Sequence, residues 1–261
     1  MRMLASERLM YILDRLKEHP AVTIREMSLE LNISEATVRR DLDELQRQGK
    51  LKRQHGGAVL NSMLHTISES TDWTINEKTM MHTEGKRKAC ELASEIVRDG
   101  DCIYIDGGST MSFLIPYLKN KKIHIVTPNI RFVRNLGHSQ CSVQIIGGTY
   151  EPFFDMSIGS KATQATSEFR YDLAFFGAGG VDPLTKEVYS ATIETVVNKV
   201  AAMKNSLRNF LIVDSSKFSQ RAFCYCCSTD DFEAVFSDLL PAGEHALDNL
   251  HSWEEKRSET K

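Results

Sequence analysis

The chain has 261 residues, 41% of them hydrophobic and 26% charged, with a formal net charge of −3. That balance excludes a disordered chain, and no run of about 18 apolar residues is available to cross a membrane. Residues 1–10 carry Arg2, Glu7 and Arg8 and no apolar stretch, so no secretory leader is expected. The six cysteines, Cys90, Cys102, Cys141, Cys224, Cys226 and Cys227, follow no disulfide framework and are expected as reduced thiols of a cytoplasmic protein. The length suits one large domain or two unequal ones.

Charge is spread unevenly. Residues 1–60 hold eleven Lys/Arg and nine Asp/Glu, a net +2, whereas the remainder holds 21 and 26, a net −5. Leu9, Ile12, Leu13 and Leu16 recur at helical spacing, and that helix is expected to stop near His19 and Pro20. Thr23 stands three residues before Glu26, the signature of a capping box, opening a second helix that carries Ile24, Met27 and Leu31. After a break at Asn32 and Ile33, Ser34 is placed to cap a third helix running to Gln48, with Gly49 to end it. Val38, Leu42 and Leu45 face inward on that helix, which leaves Arg39 and Arg40 near its exposed amino-terminal half. Two short helices joined by a tight turn, the second opening with Ser, Thr and Arg, suit insertion into a DNA major groove. Arginine can pair with guanine or clamp a phosphate, and the Ser34 and Thr37 hydroxyls can bond phosphate oxygens. The alternating stretch from Lys50 to Val59, with Gly56-Gly57 at its turn, reads as a β-wing. Lys52, Arg53 and His55 at its edge would lie along the DNA backbone and add salt-dependent affinity.

The run from Ser34 to Leu42 (Ser-Glu-Ala-Thr-Val-Arg-Arg-Asp-Leu), followed by Gly49-Lys50-Leu51 and His55-Gly56-Gly57-Ala58, resembles the amino-terminal signature of the DeoR family of bacterial transcription regulators. The resemblance implies that Ser34, Thr37, Arg39 and Arg40 contact operator DNA, with Lys52, Arg53 and His55 in support. Asp41 is expected to stay inside the domain as partner of an arginine, because a carboxylate facing phosphate would be repelled.

Residues 61–85 are polar and weakly periodic and read as a linker, in which Trp73 is expected to pack against the second domain. Residues 86–240 then alternate apolar runs with helices. Strands are expected at Cys102–Ile105, Ile123–Val126, Val143–Ile146, Leu173–Phe176 and Phe210–Val213. Helices are expected from Lys86 to Val97 and at Thr110–Leu118, Ile130–Leu136 and Thr192–Leu207. This is the pattern of an α/β domain with a largely parallel sheet.

Ligands in such sheets bind beyond the carboxyl ends of the strands. Those positions here are glycine-rich or polar: Asp106-Gly107-Gly108-Ser109-Thr110, Thr127-Pro128-Asn129, Gly147-Gly148, Gly177-Ala178-Gly179-Gly180 and Asp214-Ser215-Ser216-Lys217. They suit a phosphorylated small ligand. The Cys224–Cys227 cluster lacks a second Cys/His pair at zinc spacing and alternates like a strand, so neither a metal nor a cofactor is expected. Residues 241–261 read as a charged tail.

The same loops, with Phe236-Ser237-Asp238, resemble the carboxyl-terminal sensor domain of DeoR-type regulators, a ribose-5-phosphate isomerase-like α/β fold that binds sugar phosphates or related metabolites. Carried over, the loop of Gly108, Ser109 and Thr110 would take phosphate, Asp106 would bond sugar hydroxyls, and Gly107 would belong to the same effector site. Thr127, Asn129, Gly147, Gly148, Gly177 and Gly179 would line the same pocket, and Lys217 would supply a cation or, alternatively, pair with a carboxylate of the sheet. Pro128 displaces Asn129 by one place from the family pattern, and Ser109 stands where threonine is usual. The function implied is a transcription regulator, a repressor by family expectation, acting as at least a dimer and controlled by a phosphorylated sugar. The alternative is a sugar-phosphate isomerase or deaminase-like enzyme with a fused DNA-binding domain, for which Asp106, Asp182, Glu194 and Lys217 are the nominal acid–base groups.

Overall fold

The computed structural model describes residues 5–18, 21–47, 50–54, 56–60, 73–241 and 247–259. The amino-terminal unit runs α1 (Ala5–Glu18), β1 (Ala21–Thr23), α2 (Ile24–Glu30), α3 (Glu35–Arg47), β2 (Leu51–Gln54) and β3 (Gly57–Leu60). Its core is Ile12, Leu16, Met27, Val38, Leu42 and Leu45, the inward stripe of the three helices. The capping box forms: Glu26 N–H donates to Thr23 Oγ1 and Thr23 N–H to Glu26 Oε2, both at 3.1 Å. Asn32, at φ 49°, makes the left-handed turn between α2 and α3.

The strands form an antiparallel sheet in the order β1-β3-β2. Gly57 is required there, since a Cβ on it would lie 2.1 Å from the Val22 carbonyl oxygen and force β1 from β3. This is a winged helix-turn-helix. His55 and the Gly49 helix stop lie outside the described residues.

From Trp73 the chain forms α4 (Ile75–Met80), α5 (Thr83–Ser94) and β4 (Cys102–Ile105), then a 3-10 helix at Ser109–Leu114 and α6 (Ile115–Leu118). Next come β5 (His124–Thr127), α7 (Ile130–Leu136), β6 (Ser142–Ile145), the hairpin β7 (Thr149–Glu151) and β8 (Met156–Ile158), and α8 (Ser160–Glu168). Then follow β9 (Tyr171–Phe176), β10 (Gly180–Asp182), β11 (Glu187–Ser190), α9 (Ile193–Lys204) and β12 (Ser206–Ile212). A 3-10 helix at Ser215–Ser219, β13 (Cys224–Ser228), β14 (Ala234–Ser237), β15 (Leu250–Ser252) and α10 (Trp253–Glu259) complete the order.

Seven strands form one parallel sheet in the order β15-β14-β12-β9-β4-β5-β6. Period-two alternation assigns its two faces. Ile103, Ile105, Phe175, Phe210 and Phe236 pack under α5 and α7. Tyr104, Ala174, Phe176, Leu211 and Val235 pack under α8 and α9. Helices on both faces of a parallel sheet make an α/β sandwich. Strand order runs outward from β4 through β5 to β6, then restarts beside β4 with β9. The crevice between β4 and β9 is therefore the topological switch point, where a ligand is expected. A second sheet, β10-β11-β13, takes in the cysteine-rich strand.

Differences from the sequence reading are local. The stretch expected as a helix at 110–118 is a 3-10 helix followed by one α-turn that carries Pro116. α9 stops at Lys204 because Ser206 already enters β12, which pairs with β9 from Tyr171 onward. Within the expected linker, α4 and the first turn of α5 occupy residues 75–85. Within the expected tail, β15 adds the edge strand, and Lys88 sits 4.6 Å over the Trp253 ring.

Candidate functional site

Two surfaces carry the chemistry. On α3, Ser34 accepts from the Thr37 amide at 3.2 Å and shares a hydroxyl contact with Thr37 at 2.9 Å, so both hydroxyls sit at the start of the helix. Arg39 leans on Glu35 at 3.3 Å, an exposed pair of the kind worth a few tenths of a kcal/mol and easily surrendered to a phosphate. Arg40 and Lys52 are exposed and make no ion pair among the described residues. Arg53 is different. It donates to the Arg39 carbonyl at 3.1 Å and to Asp43, while Gln46 accepts its amide, so it fastens the wing to α3. Asp41 takes a bidentate pair from Arg8 at 2.8 and 2.9 Å, inside the domain as expected of it.

The second surface is an open cleft at the carboxyl ends of β4 and β9. Asp106, Gly107, Gly108, Ser109 and Thr110 line one side. Gly177 and Gly179 line another, with Lys217 nearby. Met111 is the first residue after the glycines whose amide turns inward, to the Gly108 carbonyl at 3.2 Å.

Thr127 and Asn129 do not line the cleft; they lie behind it, fully buried. Thr127 Oγ1 donates to the Ile105 carbonyl at 2.5 Å. The Asn129 amide donates to the carbonyls of Asp106 and Gly108 at 3.0 and 3.3 Å, and its oxygen caps α7 through the Phe132 amide. They hold the glycine loop in shape. Gly147 and Gly148 also stand apart from the cleft. Gly148, at φ +155°, is required by packing, because a Cβ there would meet Ala162 Cβ and the Ile158 carbonyl at 2.8 Å.

Four lysines and one aspartate line the cleft, so its charge is strongly positive although the domain is acidic. Lys199, from the buried side of α9, donates to Asp106 Oδ2 and to the Gly177 carbonyl at 2.7 Å. The Gly177 amide returns a bond to Asp106 at 3.2 Å. Asp106 is thus engaged from within the protein, and the pair clamps the β4 and β9 loops together. Lys217 reaches Gln220 at 2.8 Å, not a carboxylate. Its enclosure pushes its pKa down, opposed by Asp214.

Lys86, 3% exposed, donates to the carbonyls of Lys78 and, at 2.8 Å, Met81. Desolvation pushes its pKa down to about 8, with Asp214 pulling it back up. An anion entering the cleft would restore full charge to both lysines. The remaining wall includes Trp73, Ile75, Met81 and His82 as well as Ser190 and Thr195.

Sequence reasoning placed Trp73 against this domain but passed over Lys86, Lys199 and the rest of the wall to His82. Two of these had a signal. Lys199 lies in the apolar stripe of Val196 and Met203, and Lys86 in that of Ala89, Cys90 and Ala93. A lysine on a buried helix face needs a compensating partner or a ligand.

A family model described as the DeoR-like helix-turn-helix domain matches residues 8–63, and one described as the DeoR C terminal sensor domain matches residues 81–239. The HTH-type transcriptional regulator FruR of Bacillus subtilis is 32% identical over 248 residues, 95% of each chain. The lactose phosphotransferase system repressor of Lactococcus lactis is 32% identical over 242 residues, 91% of this chain and 92% of that one. Among solved structures, ribose 5-phosphate isomerase A of Methanocaldococcus jannaschii aligns at 19% identity with a TM-score of 0.38, covering 51% of this chain and 52% of that one.

Proposed function

Because the chain belongs to the DeoR family of transcription regulators, we propose that it represses genes of sugar use and that a phosphorylated sugar sets its affinity for operator DNA. The observation that carries this reading is the lysine-rich cleft at the switch point, in the same chain as a helix presenting Arg39 and Arg40 to solvent. The relatives named as repressors of a lactose phosphotransferase system support the sugar connection. Arg39 and Arg40 would read or clamp DNA, with Ser34 and Thr37 on phosphate and Lys52 along the backbone. A lone winged helix spans one half-site, so the working form is at least a dimer in the cytoplasm.

The enzyme alternative is not favoured by the cleft. Aldose–ketose isomerisation needs a carboxylate base beside the substrate. Asp106 is the one lining carboxylate among the described residues, and it is held by Lys199 and the Gly177 amide. Asp182 pairs with Arg221 at 2.9 Å, and neither Asp182 nor Glu194 lines the cleft.

Selection of bound DNA from a random pool, followed by titration with a panel of sugar phosphates, tests the reading. One member should change affinity by about 5–150-fold, the usual allosteric coupling of ~1–3 kcal/mol. A panel that leaves DNA binding unchanged sinks the effector, and turnover of ribose 5-phosphate or glucosamine 6-phosphate by the pure protein would restore the enzyme.

A further inference from the structure

The wall from Trp73 to His82 has two attachments. At its front, the Ile75 amide donates to the Phe153 carbonyl at 3.1 Å and Asn76 accepts from Arg131 at 2.5 Å, which ties α4 to the β7–β8 hairpin and α7. At its back, the carbonyls of Lys78 and Met81 are held by the Lys86 ammonium. These carbonyls lie at the end of a one-and-a-half-turn helix, where the Lys78 carbonyl takes only the long 3.4 Å bond from the Met81 amide besides Lys86. The link to α5 is His82, a non-glycine residue at φ 50°, which is a costly left-handed turn.

Lys86 therefore serves two sides at once. An ammonium has three protons; two go to the end of α4, and the group also lines the cleft. The charged and titratable groups around it are Asp214, which favours its charge, Lys217 and Lys78, which oppose it, and the Cys90 thiol. No carboxylate bonds it among the described residues, so an anion in the cleft would be the first negatively charged group to bond it directly.

We propose that Lys86 is the joint between the cleft and the strap formed by residues 73–82: a bound anion takes its third proton and locks the strap whose first residue follows the connection to the DNA-binding unit. The proposal rests on the reading of the cleft as an anion site. It assigns the regulatory path to a specific contact. Occupancy fixes Lys86, Lys86 fixes the carbonyls of Lys78 and Met81, and the strap then restrains the chain entering at Trp73. This is coupling through a contiguous set of contacts with two arrangements, bridged or unbridged.

Hydrogen–deuterium exchange on the full chain tests it, with millimolar inorganic phosphate as probe against an equal concentration of chloride. Phosphate should slow exchange severalfold both over residues 107–110 and over residues 75–82. In Lys86→Gln, exchange over 75–82 should be severalfold faster than wild type without phosphate. When phosphate is raised until protection of 107–110 equals that of wild type, the strap should show no slowing. Strap protection in Lys86→Gln equal to wild type at that matched occupancy would overturn the proposal, since burial of the wall would then explain it. Protection over 107–110 with an unaltered strap in wild type would overturn it without any variant. No protection over 107–110 would remove the anion site itself, a distinct failure that takes the proposal with it.

Discussion

Arg40, Lys52 and Arg53 look alike in the sequence and stand in different situations in the folded unit. Arg40 and Lys52 reach solvent, whereas Arg53 turns its Nη1 back to both Asp43 and the Arg39 carbonyl. The three should therefore separate on mutation. Arg40→Ala is expected to weaken binding to the selected DNA by about 1–3 kcal/mol if the side chain reads a base edge. Lys52→Ala should weaken binding to all sequences and lower the slope of log affinity against log salt by about 1. Arg53→Ala should lower the melting temperature of the unit before it changes any base preference. Fluorescence titrations over a salt series, paired with thermal melts, check all three. Residue type and the helix start were legible in Ser34–Leu42, but the commitment of Arg53 was not. That contact joins side chains 10 positions apart across an element boundary, and nothing in the local pattern encodes it.

At the scale of elements, α9 shows how a pattern was read correctly and its exception missed. Its helix was legible from Val196, Val200 and Met203, and the inward lysine on the same stripe was passed over. Lys199 and Asp106 form a buried ion pair linking α9 to the end of β4. Removing one member of such a pair leaves a buried charge and costs about 3–5 kcal/mol, while removing both charges costs far less. Lys199→Met is thus expected to lower stability strongly, and Lys199→Met with Asp106→Asn to recover most of it. Urea denaturation of the two variants measures the difference, and equal losses would show that the pair does not clamp the two loops. Thr127 and Asn129 carry a related lesson. Both stand at a strand end, where ligand-binding residues are expected, yet they bond backward to the carbonyls of Ile105, Asp106 and Gly108. Some polar residues at strand ends face a ligand and others support the loop that does, and their neighbours in sequence do not distinguish the two.

For the whole molecule, the cleft stores positive charge that folding has partly desolvated. Lys86 titrates at about 8 in the folded protein against an ordinary 10.5, and Lys217 is also pushed down. Between those limits the unfolded chain holds protons that the folded one has shed, so stability should rise as pH increases from about 8 toward 10.5. Anion binding needs the charged form and should move the other way, weakening as pH passes 8. Denaturation at stepped pH, with and without sulfate, reads both effects. Lys86→Gln should flatten part of each, and a wild-type stability that falls over that window would contradict the assignment.

The sequence by itself determined the two-unit plan, the capping box at Thr23, the inward stripe of α3, the alternation of buried strands with helices and the family. All of these are written in short-range periodicity and local turn chemistry, and their signal is complete within a dozen or so residues. Only the tertiary structure decided which strand ends share a cleft, because that follows from β9 inserting beside β4 rather than beside β6. It also decided that Lys86 and Lys199 face that cleft, and that residues 73–82 form one of its walls. The opening net charge of −3 is the clearest instance: an acidic domain can gather four lysines around one crevice, since charge acts through distance in space and not through order along the chain.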